Sequence, residues 1–153
     1  MTPFADIETA LDGFDPAGID PTAADPAGRL LGLAEAVLEN WVEARGEAPT
    51  QEEREGFRLL ALHRQGARGE PSFNACRETG REIAWHANLL RLEPDHSETA
   101  ARATMMVMLV RHLLLFVSGK MQVAALGEFC CSSRTLRSLD RDAAEMSDRQ
   151  KVA

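Results

Sequence analysis

The chain has 153 residues, 44% of them hydrophobic and 27% charged, which fits one soluble globular domain with a full core. Its net charge of −7 is unevenly spread: residues 1–70 carry six basic and fourteen acidic side chains, residues 71–153 eleven and ten. That balance argues against general nucleic-acid binding, which needs a positive surface to displace counterions, and against an anionic membrane surface.

Ala, Leu, Arg and Glu dominate, and these are good helix formers. β-Branched residues are few and scattered, and aromatics make up 5% with no Tyr. The expected fold class is all-α, an antiparallel bundle of four to five helices with a flexible acidic N-terminal arm. The arm is expected over residues 1–27, the bundle over 28–146 and a frayed tail over 147–153.

In chain order, Phe4, Ile7, Leu11 and Phe14 fall at helical spacing and predict a short amphipathic helix. In an arm, that stripe either stays mobile or docks on a partner. Asp-Pro pairs follow at 15–16, 20–21 and 25–26. Proline pushes the residue before it out of α geometry, so this stretch reads as extended or turn-rich. A first main helix runs from Pro26 to Ala44 with Leu30, Leu33, Val37, Leu38 and Trp41 inward, and Gly46 ends it. Thr50 with Glu53 reads as a capping box for a second helix that carries Phe57, Leu60 and Ala61 inward.

A third helix is expected from Ser72 or Asn74 to Leu92. Cys76, Ile83 and Leu90 lie on one line and Trp85, Leu89 and Leu92 on the next. Pro94 stops it, and Asp95 with Glu98 reads as the start of a fourth helix reaching Gln122. The segment from Leu92 to Ala100 resembles the junction between tetratricopeptide repeats, but no second copy recurs at a period of about 34 residues, so it counts as ordinary helix-stop, helix-start chemistry. A break near Gly127 and a weakly amphipathic last helix over 133–146 complete the reading.

The apolar run Met105–Val117 is short of the ~20 residues of a bilayer span and is interrupted by Arg111 and His112, so no membrane span is expected. The acidic N-terminus has no apolar h-region, so no signal peptide is read there. Three Cys residues do not make a disulfide framework and read as reduced thiols of a cytoplasmic protein.

Three groups of residues have chemical potential. Arg111 and His112 sit in an apolar helix, where a guanidinium needs a carboxylate partner; Glu35, Glu39, Glu78 and Glu82 are available. Paired, Arg111 is structural; otherwise, with His112, Glu82 and His86, it forms a site for a small anionic ligand. Cys76, Cys130, Cys131, His86 and His112 have the donor types of a metal site but not the spacing of a known code. Cys130 and Cys131 follow a Gly-containing break near an expected helix start, a setting that lowers thiol pKa. His63 and His96 read as surface or rim residues. Finally, Met105, Met106 and Met108 cannot all face one way, which points to a homodimer or a protein partner. No catalytic motif is present and no cofactor is specified. The expected function is that of a small helical interaction, regulatory or accessory protein, the alternative being a helical bundle that binds a metal or a small anion.

Overall fold

The structure, a computed structural model, describes residues 2–19, 25–68 and 77–124. These residues form five α-helices and no strand: α1 (Phe4–Asp12), α2 (Pro26–Ala44), α3 (Arg58–Ala67), α4 (Arg77–Leu92) and α5 (Thr99–Val123), with a 3-10 turn at Pro16–Gly18. The fold is an all-α bundle. The expected break at Gly127 and last helix over 133–146 lie outside the described residues.

Helix α2 touches all four other helices and holds the centre of the core. Its start is built by Asp25 and Pro26. The Asp25 carboxylate accepts the Gly28 N–H at 2.9 Å, and Pro26 needs no hydrogen bond in the first turn. Asp15-Pro16 repeats the device in the 3-10 turn, where Asp15 accepts the Ala17 N–H at 3.0 Å. The Asp-Pro pairs at 15–16 and 25–26 therefore open helical turns, while Asp20-Pro21 lies outside the described residues. Each Asp is kept out of α geometry by its proline, and that backbone conformation is what an N-cap requires.

The expected flexible arm is replaced, over residues 2–19, by a helix packed on α2 and α5. Ile7 and Leu11 belong to the core, and Phe4 and Phe14 pack half-buried against it. Buried Asn40 of α2 donates to the Thr2 carbonyl at 2.8 Å, tying down the chain before α1.

Helix α3 begins eight residues after Thr50. Thr50 accepts the Glu52 N–H in a local turn instead of capping a helix. Arg54 and Phe57 then exchange backbone hydrogen bonds of 3.0 and 2.9 Å around Glu55 and Gly56, whose φ values are 53° and 82°. Two successive positive φ values make this a type I′ turn, which interrupts the expected helix. Within α3 the core line is Leu59 and Leu62 with Ala61; Phe57 and Leu60 are half-buried. The C-terminal carbonyls of α3 are satisfied from α2. The indole of buried Trp41 donates to the Gly66 carbonyl at 2.9 Å, and Arg45 reaches the Gly66 and Arg68 carbonyls at 2.8 and 2.6 Å.

Between α4 and α5 the expected capping box is absent, since Glu98 at the N-cap makes no side-chain hydrogen bond. Thr99 instead bonds the Pro94 carbonyl at 3.1 Å, and His96 accepts the Glu98 N–H at 3.1 Å.

Candidate functional site

Helix α5 is apolar on both sides, and its two faces have different fates. Ala103, Met106, Val110, Leu113, Leu114, Val117 and Met121 are buried. They recur at heptad-like spacing and pack on α1, α2 and α4. Directly opposite runs Ala101, Met105, Met108, His112, Leu115, Gly119 and Gln122, in alternating steps of four and three residues. This second line is exposed through Leu115 and half-buried at Gly119 and Gln122.

Helix α4 adds to the same side. Its core residues are Gly80, Ile83, Ala84, Ala87 and Leu90. Trp85 and Leu92, on the line next to that of Ile83 and Leu90, therefore point outward and are 62% and 79% exposed. Both helices use their inner faces on α2, so their outer faces lie together on one side of the bundle. As antiparallel neighbours extending to the same side of the Glu93–Glu98 turn, they place Trp85 level with Met105–Met108, about 10 Å from the turn. Among the described residues, the exposed large hydrophobics are Trp85, Leu92, Met105, Met108, Leu115 and Val123, all on α4 or α5. The three methionines divide accordingly: Met105 and Met108 are 45% and 59% exposed, while Met106 is core and leaves the set of partner-binding candidates. Ile7 and Leu11 leave it too, because their docking surface is the chain's own bundle.

Arg111 does not meet the glutamates expected for it. Its Nη2 bonds the Asp12 carboxylate at 2.7 Å, on the exposed seam between α1 and α5. Glu39 and Glu35 are instead drawn to Arg58, at 2.6 and 3.9 Å. Burial pushes the Glu35 carboxyl above its ordinary range, against the pull of Arg58. His112 stands on the exposed line of α5. His86 turns back on its own helix, its Nδ1 at 2.8 Å from the Glu82 carbonyl, and the Glu82 side chain is exposed. Among the described residues, no group of three His, Cys, Asp or Glu side chains converges as metal ligands would. Cys76, Cys130 and Cys131 lie outside the described residues. His63, expected at a rim, is buried on α3.

By length and composition α5 also meets the measure of a membrane span: 25 residues, with a mean hydropathy of 1.6 over its most apolar window. The expectation drawn from Met105–Val117 alone underestimated that length. A core helix of a bundle meets the same measure, and the inner face of α5 is core. The missed members of the outer face, Trp85 and Leu92, had one signal in the sequence: they are seven residues apart, as two residues on one helical line must be. No family model matches the chain, and neither a curated protein nor a solved structure matches it.

Proposed function

We propose that the chain is a non-enzymatic interaction protein that works through the outer face of α4 and α5, and that the occupant of this face is a second copy. The observation that carries the reading is the stepwise apolar line on α5. Steps of four and three residues are the spacing by which one helix presents a continuous seam to another.

The seam favours an antiparallel pair. About a two-fold axis at Val110, Ala101 stands opposite Gly119 of the partner subunit, Met105 opposite Leu115 of the partner subunit, and Met108 opposite His112 of the partner subunit. Small residues then meet small, and large meet large, in these three layers. Charge agrees with this arrangement. Thr99–Val123 contains no Asp or Glu, and its two arginines, Arg102 and Arg111, are paired with Glu93 and Asp12 of the same chain. The two-helix face is about 30 Å long and roughly 20 Å wide, on the scale of the ~800 Å² per partner that a standard interface removes from water.

Light scattering of the full chain is expected to give twice the chain mass. Met108→Lys combined with Leu115→Glu is expected to give the monomer with unchanged helical circular dichroism. A wild-type monomer at every concentration, or a double variant that stays paired, rejects the proposal. A monomer that floats with phosphatidylcholine vesicles assigns the seam to lipid instead.

A further inference from the structure

A concavity of about 270 Å³ lies on another part of the surface, between α3, the beginning of α4 and the Arg54–Phe57 turn. Three local features build it. Leu60, His63, Arg64 and Ala67 fall at i, i+3, i+4 and i+7 and give it one face of α3. Arg77 and Arg81, at i and i+4, give it one face of α4. The type I′ turn fixes Arg54 and Glu55 at its edge through the paired backbone bonds of Arg54 and Phe57.

The charge of this lining is unlike that of the chain. Four arginines and one glutamate line it, in a protein of net charge −7. Most of the other described arginines are committed: Arg58, Arg91, Arg102 and Arg111 to carboxylates, Arg45 to carbonyls of α3. Among the described residues, none of Arg54, Arg64, Arg77 and Arg81 has a carboxylate within ion-pair distance. Cations gathered this way repel one another, and an anion between them relieves that repulsion. Arginine suits the task, because its planar fork binds two oxygens of one phosphate or carboxylate. His63 is buried behind the arginines. Its imidazole is held below its ordinary pKa, first by burial and then by the Arg77 charge, so near neutral pH it is uncharged.

We propose that this cavity binds a small phosphate-type oxyanion carrying two or more negative charges, gripped by Arg64, Arg77 and Arg81, with Arg54 closing on it from the turn. The volume lies just under the ~300 Å³ at which pockets for drug-sized ligands begin, which selects a compact anion such as a diphosphate over an extended ligand. Glu55 opposes the anion and limits its affinity.

The test is calorimetric titration of the full chain with inorganic pyrophosphate, with the four histidine ring signals followed by NMR. Saturable binding is expected to move the His63 signals and leave those of His86, His96 and His112 in place. Arg64→Gln combined with Arg81→Gln is expected to weaken binding roughly tenfold or more. Glu55→Gln is expected to tighten it about twofold to fivefold, a gain that misfolding cannot mimic. Lys120→Gln, on α5, is expected to change nothing. No saturation at about 10 mM pyrophosphate overturns the proposal. So does unchanged affinity in the arginine variant, or equal movement of all four histidine signals.

Discussion

His63 shows how one buried group sets a pH dependence. In the unfolded chain it titrates near its ordinary value of 6.5; in the fold, burial and Arg77 hold it lower. A group with a depressed folded pKa, buried in its neutral form, supports the fold fully above the unfolded value. That support is lost as pH falls through the folded value, because the unfolded state then takes up the proton first. Between about pH 7.5 and pH 6 the urea midpoint of the wild type is therefore expected to fall, and that of His63→Gln to stay flat over the same interval. A wild type with no acid loss in that window would contradict the burial of His63. The carboxylates act elsewhere on the scale. Asp25, held down first by the Gly28 amide and then by Arg91, loses its contribution only below its ordinary 3.8. Glu35 has the opposite sign: its carboxyl is raised above 4.5, so its contribution returns as pH falls through the folded value. The difference between wild type and variant isolates His63 from both.

Helix ends decide most of the elements. Helix α2 closes in a Schellman motif: Glu47 N–H bonds the Val42 carbonyl at 3.2 Å, Gly46 N–H bonds the Glu43 carbonyl at 2.9 Å, and Gly46 has a φ of 81°. A Cβ on Gly46 would meet nothing within 4 Å, so any cost of Gly46→Ala is a backbone cost. It is expected to destabilise by about 1–2 kcal/mol, read as a Tm lower by a few degrees. An unchanged Tm would mean that α2 ends another way. The start and stop of α2 are legible from Pro26 and Gly46, because proline and glycine act through backbone geometry that no distant contact alters. The start of α3 is not. Thr50 and Glu53 have the letters of a capping box, yet the Glu55-Gly56 turn between them and the helix takes the backbone first. On α4 the hydrophobic lines mislead for a different reason. Gly80, Ala84 and Ala87 form much of its core face. Small residues permit close packing but contribute little to a hydrophobic pattern, so the pattern alone does not tell the outer line of Trp85 and Leu92 from the inner line of Ile83 and Leu90. On α5 both lines of the pattern are visible in the sequence, while which of them faces the bundle depends on residues far away along the chain.

The whole molecule is completed by α1. The stripe of Phe4, Ile7, Leu11 and Phe14 is visible in the sequence, but a helical period does not say whose surface it meets. Here it meets α2 and α5. The attachment is cross-linked by Asn40 to the Thr2 carbonyl, by Arg111 to Asp12, and by Arg29 over the Phe14 ring at 5.5 Å. The exposed Arg111–Asp12 pair contributes at most about 1 kcal/mol. Burial of Ile7, which is 0% exposed, stabilises the attachment more. Ile7→Ala is therefore expected to cost about 2–5 kcal/mol, and Glu8→Ala, on the exposed side of the same helix, to stay within about 0.5 kcal/mol. Trp41 supplies an independent reporter, being fully buried on α2. If α1 is part of one cooperative unit, Ile7→Ala lowers the urea midpoint by Trp fluorescence and by circular dichroism equally. If α1 opens on its own, the fluorescence midpoint stays at the wild-type value while the helical signal falls earlier. The second result would return α1 to the status of an arm; the first makes it the fifth helix of the bundle.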